Sequence, residues 1–268
     1  MKYFSILEPW LEPQYKLIAQ PPPGYDTGDT AQREGMFAFA ALILNDLGKM
    51  DDEELFFVAD RYAHVLALLN DPNHDGFLRR FPDARIWTGL SDRFSRDQAI
   101  PNVIAMAMHP DRLKAFFWRH LKYSLLLFMD NTKANAAPED SAWKLPDLTF
   151  ASFHGLYIRS FKFWPLYPFL WLSDWDLVVN SLIKVFYYGK DPTNNDDLNH
   201  VLCLYQAELT MPTLVSKLAK WIYKFRPFPA NAGNADNPAQ ACMNAYFRGV
   251  NPGPKLEVIY QEINEHFK

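Results

Sequence analysis

The sequence predicts an all-α fold of paired helices, an inner ring wrapped by an outer one, as in an α/α toroid or an incomplete (α/α) barrel. Three observations lead there. Helical spacing of apolar residues recurs along the chain, whereas strand-type alternation is hard to find. The helices come in two kinds, one apolar nearly all round and one amphipathic. The two kinds also alternate, so a helix that must be covered on every side is followed by one with a solvated face. Because the pairs are irregular in length, a plain helical solenoid is the competing architecture.

The elements follow in order. Residues 1–28 are interrupted by proline and glutamate and read as an irregular segment. The first inner helix spans 30–48, where Met36 to Leu44 is an unbroken apolar run. Its outer partner spans 52–70. Asp51 and Glu54 form a capping box, Leu55, Ala59, Tyr62, Leu66 and Leu69 mark one face, and Asp60, Arg61 and His64 lie away from it. The second pair is 97–108, with "VIAMAM" at its centre, and 111–128, with Leu113, Phe116, Phe117, His120 and Leu121 facing in. A polar loop occupies 130–148, then helices at 149–163 and 174–189 make a third pair. A fourth joins 196–209, containing "VLCLY", to 212–225. There Leu214, Leu218, Trp221, Ile222 and Phe225 are expected inside and Lys217, Lys220 and Lys224 outside. The loop 226–240 leads to a last pair, 238–248 and 255–267.

Composition narrows the function classes. A chain of 268 residues can bury a sizeable core, and residues 1–268 read as one domain. The net charge of −4 and the lack of a Lys/Arg-rich run argue against a nucleic-acid partner. The longest greasy run, 163–172, contains two prolines and falls short of the ~20 residues that span a bilayer, so no membrane partner is expected. The N-terminus has no clean apolar run and no small-residue cleavage site, which points to a cytoplasmic or otherwise soluble protein. Cys203 and Cys242 make neither a disulfide framework nor a zinc site. The abundant Phe, Tyr and Trp suit a large core, and equally a cleft that stacks on sugar rings.

Polar clusters sit where the inner helices begin. "TGDTAQREG" opens the first, "FSRDQ" the second and "NNDDLNH" the fourth, while "SFHG" lies in the first turns of the third. In a ring these starts share one face, so residues distant in sequence converge. Asp29, Asp97 and Asp197 are the candidate catalytic carboxylates. Arg33, Glu34, Arg96, Gln98, His154, Asp196 and His200 are candidates for binding substrate. A carboxylate pair across a cleft suits glycoside hydrolysis, which needs one protonated donor and one ionised partner. Helix N-termini favour the ionised form, and a neighbouring carboxylate raises the pKa of the donor. Helix capping is the competing explanation, because Asp29 with Gln32 and Ser95 with Gln98 both fit capping boxes.

With "GDTAQREG", "SRDQ" and "NNDDLNH" at the starts of inner helices, the chain resembles the helical-toroid glycoside hydrolases and polysaccharide lyases over roughly residues 30–225. The resemblance is architectural and assigns no residue a role. It implies an oligosaccharide or polysaccharide substrate and no organic cofactor. The alternatives are a non-catalytic helical binding or assembly protein, and a lyase acting on an acidic glycan.

Two smaller signals remain. "DPNHDG" places Asp71, Asn73 and Asp75 as in the first half of a calcium loop, but Pro82 stands where a bidentate Glu would be needed, and an Asn/Asp/Gly turn accounts for the stretch. Arg79, Arg80, Arg85, Arg93 and Arg96 lie among aromatics, a mixture suited to an anionic ligand or to solvated ion pairs. Walker, G-x-G-x-x-G, G-x-S-x-G and H-E-x-x-H motifs are absent.

Overall fold

The computed structural model describes residues 11–19, 28–46, 48, 50–72, 75–83, 96–109, 111–129, 146–186, 200, 202–204, 206–207 and 214–225. They are mostly helical, and no strand occurs among them beyond two isolated bridges, Leu11 with Ile18 and Asn70 with Leu78. Among the described residues there are seven α-helices: α1 (Thr30–Asp46), α2 (Asp52–Leu69), α3 (Arg96–Met108), α4 (Lys114–Met129), α5 (Pro146–Arg159), α6 (Tyr167–Phe186) and α7 (Leu214–Tyr223). Further helical residues lie within 200–207. The expected helices at 238–248 and 255–267 lie outside the described residues.

The helices pack against one another in a definite order. α1 lies on α3, and α3 lies on α5. α2 covers α1, while α4 spans α3 and α5. Every residue from Gln98 to Ala107 is buried, as a helix without a polar face requires. Leu202, Cys203 and Leu204 are buried too. On α2 the Asp51 carboxylate accepts from Glu54 N–H at 2.7 Å, so the capping interaction forms.

A single side chain ties three helices together. Asn102 Nδ2 donates to the carbonyls of Ala31 on α1 and Gln98 on α3, and Asn102 Oδ1 accepts from Tyr62 Oη on α2. Burial, then the Glu34 carboxylate, push the Tyr62 phenol well above its ordinary pKa, so it stays a donor. Glycine makes this approach possible. A Cβ on Gly35 would stand 2.8 Å from Asn102 N and 3.0 Å from the carbonyl carbon of Pro101. Gly35→Ala is therefore expected to destabilise the protein by about 1–3 kcal/mol through overpacking, although helix propensity alone would favour alanine by about 1 kcal/mol. A urea titration checks the sign, the midpoint falling while the slope stays constant.

Three expectations are corrected. Arg61 does not point away from the core; it reaches α1, where Glu34 is buried. The third pair starts earlier than 149 and 174. Pro146 opens α5, and Pro168 sits in the first turn of α6, where a missing N–H costs nothing. The prolines of the greasy run thus begin a helix. Finally, α7 is turned over. Leu214, Leu218, Trp221 and Phe225 are exposed, while Val215, Ser216, Ala219, Ile222 and Tyr223 are buried. α7 packs on α6, and the small Ser216 and Ala219 are on its buried side, which favours a close helix–helix approach.

Candidate functional site

The start of α1 is held by the chain on either side of it. The Asp29 carbonyl accepts the first helical bond, from Arg33 N–H at 2.9 Å, and Ala31 N–H donates to the carbonyl of Arg80 at 3.2 Å. The α3 start is drawn to the same point. Gln98, one turn into α3, donates from Nε2 to the carbonyl of Gly28 at 2.9 Å and more weakly to Asp29 Oδ1 at 3.5 Å. Arg80 Nη1 lies 3.5 Å from the Gly28 carbonyl and 3.9 Å from Asp29 Oδ1. The starts of α1 and α3 therefore lie next to each other.

Three properties distinguish this mouth. Its carboxylate is accessible, the Asp29 side chain being 48% exposed. Its cation is not, since Arg80 is buried and held in one direction. Two buried oxygens in the same few residues, Thr30 Oγ1 and Gln98 Oε1, have no hydrogen-bond partner among the described residues. A buried polar atom left unpaired costs about 1–3 kcal/mol. Gln98 Nε2 donates to Gly28 and Asp29 across the mouth, while Ser95, its partner in the capping box the sequence allows, lies outside the described residues.

The remaining candidates are distributed differently. Arg33 is half-buried in the first turn of α1. Glu34 is fully buried one turn further on, where Arg61 Nη1 and Nη2 reach its two oxygens at 2.5 and 2.7 Å and Ile18 N–H donates to Oε1 at 2.7 Å. Glu34 thus fastens residues 11–19 and α2 to α1. Buried His154 pairs through Nε2 with Asp174 Oδ1 of α6 at 3.0 Å, under the stacked ring of Phe150. Buried His200 meets Ser181 Oγ at 2.9 Å and lies against Tyr223. Both histidines join helices. Arg96 and Asp97 belong to the first turn of α3, with side chains outside the described residues, as are Asp196 and Asp197.

Sequence reasoning named Arg80 only within an arginine-rich stretch and did not name Thr30. The signal for Arg80 was available in principle, because its neighbour Arg79 is spent on Asp71 at 2.8 Å and on the Pro82 carbonyl. In the turn once compared with a calcium loop, Asp71 faces Arg79 and Asp75 faces Arg119 at 2.9 Å, while Asn73 lies outside the described residues. A cation there would have to displace two arginine pairs. Among the described residues no group of three or more His, Cys, Asp or Glu side chains could hold a metal ion, and no helix is long and apolar enough to cross a membrane.

Among the described residues the fold is all-α, and the starts of α1 and α3 lie together through Gln98, Gly28 and Asp29. Compared with protein-family models, with curated proteins and with solved structures, the chain matches none of them.

Proposed function

We propose that the chain binds a carbohydrate at the mouth formed by α1 and α3, with the helix pairs arrayed as an incomplete α/α ring around it. The single observation that carries this reading is the exposed Asp29 carboxylate beside buried Arg80 and two oxygens unpartnered among the described residues, Thr30 Oγ1 and Gln98 Oε1. Sugar hydroxyls are donors and acceptors at once. They suit the half-exposed Asp29 carboxylate, which accepts from them, while a ligand that opens the mouth would also reach the two buried oxygens and Arg80 behind it. The catalytic extension is hydrolysis of a glycosidic bond. It requires a second carboxylate across the ligand from Asp29, and Asp97, one residue before Gln98 on α3, is the candidate. In that role Asp29 at a helix N-terminus suits the ionised partner better than the proton donor.

The test is a panel of oligosaccharides and polysaccharides with product detection and titration calorimetry, run on wild type, Asp29→Asn and Asp97→Asn. A charge-assisted hydrogen bond contributes about 1.5–3 kcal/mol, so Asp29→Asn is expected to weaken binding by about tenfold or more. Product released by wild type and lost in Asp97→Asn would support hydrolysis. Binding of no glycan, or equal binding by wild type and Asp29→Asn, would remove the proposal.

A further inference from the structure

α6 is apolar on both faces. Its buried side carries Leu170, Leu177 and Val178 together with Ser173, Asp174, Ser181 and Lys184, and its opposite side is apolar and open to solvent. Trp171, Trp175, Val179, Leu182 and Phe186 make that outer stripe at helical spacing, and Phe186 is 80% exposed. α7, packed on α6, repeats the arrangement with Leu214, Leu218, Trp221 and Phe225, of which Leu214 is 86% exposed. A folded chain rarely leaves an apolar surface of this extent open to water, so something covers it.

The sequence offers an occupant at the edge of the patch. Phe225, the last residue of the α7 stripe, is followed by residues 226–268, which lie outside the described residues. The segment 255–267 carries an apolar stripe of its own. Leu256, Ile259, Ile263 and Phe267 recur at i, i+3, i+7 and i+11, joined by Tyr260, with no charged residue among them. Glu257 and Glu262 flank this stripe on either side, and the α7 stripe is bordered by exposed Lys217 and Lys224. Length also agrees. As a helix, 255–267 would measure about 20 Å against about 30 Å for the 20 residues of α6. The segment also continues the order of the fold, in which each helix pair packs on the one before it.

We infer that residues 255–267 form a helix that docks its Leu256–Ile259–Ile263–Phe267 stripe on the exposed apolar stripes of α6 and α7, its glutamates facing Lys217 and Lys224. A second copy of the chain and a lipid surface are the other occupants such a face could take.

The full-length chain tests this with Ile263→Asp in the segment, Leu218→Asp in the patch, the double variant, and Gln261→Asp on the opposite side of the same helix. If docking occurs, Ile263→Asp shifts tryptophan emission to the red, since Trp171, Trp175 and Trp221 become wet. It also speeds tryptic cleavage after Arg248 by about tenfold or more, because a carboxylate in an apolar contact favours the open form. Gln261→Asp changes neither readout, and the double variant is no worse than the more severe single one, as expected of two sites sharing one contact. Phe267→Asp gives the same reading where Ile263→Asp folds poorly. The inference is overturned if Ile263→Asp and Phe267→Asp both behave as wild type. It is equally overturned if light scattering finds a dimer that only Leu218→Asp dissociates, or if wild type binds phosphatidylcholine–phosphatidylglycerol vesicles through the patch.

Discussion

Replacing Glu34 by alanine is expected to destabilise the protein by about 3–5 kcal/mol, the usual consequence of stranding one member of a buried ion pair. Glu34 is inaccessible and the Arg61 side chain only 11% exposed, so Arg61 could not regain full hydration without moving α2. Burial works against the Arg61 charge, but the Glu34 carboxylate outweighs it and raises the arginine's pKa. The pair does more than balance itself. Glu34 Oε1 also accepts from Ile18 N–H, and Arg61 Nη2 donates to the Lys16 carbonyl at 3.2 Å, so its loss releases residues 11–19 as well. Removing both charges is expected to be milder than removing one, because Glu34→Met with Arg61→Leu leaves no unpaired ion and fills similar volume. Urea unfolding of the single and double variants checks this. A double variant as unstable as Glu34→Ala would show that the contribution lies elsewhere in the contact.

Acid is expected to unfold the protein well above the pH at which surface carboxylates titrate. His109 and His120 are both buried, and burial lowers each pKa to about 4 despite the favourable bonds to the carbonyls of Ala38 and Gly76. Arg159 adds to the effect at His109. An unfolded histidine titrates near 6.5, so between pH 6.5 and 4 the unfolded chain binds protons that the folded chain does not. Stability from these groups is therefore complete above pH 6.5 and falls as pH drops towards 4. The difference of about 2.5 units corresponds to roughly 3 kcal/mol for each histidine. Urea midpoints measured from pH 7.5 to 4.5 should decline steadily. His120→Asn, which keeps a donor for the Gly76 carbonyl and cannot be protonated there, should flatten the slope by about half. A midpoint independent of pH would show that the two rings are hydrated.

Much of the helical architecture could be read directly from residue order. Val103 to Met108 and Met36 to Leu44 are apolar runs with no polar side to turn to water, and that property points to burial of α1 and α3. Asp51 and Glu54 mark the start of α2 through a local bond that needs no tertiary partner. The mouth was legible in part. Asp29 and Gln98 are brought together because two buried helices packed side by side present their starts at one end. Glu34, His154 and His200 carry the residue types of a site, yet each meets a partner from another helix that no local pattern indicates.

α7 shows where local reading ends. Its spacing supports two faces, one with Leu214, Leu218 and Trp221 and one with Val215, Ala219 and Ile222. Hydrophobicity favours burying the first; the close approach to α6 favours the second. By itself the sequence determined the all-α class and most of the helical segments among the described residues, because periodicity and capping act over a few residues. Only tertiary structure decided which face of α7 turns inward, which acid is spent on Arg61 and which remains open at the mouth. Those outcomes depend on the shape and charge of side chains far along the chain, and no run of neighbouring residues contains them.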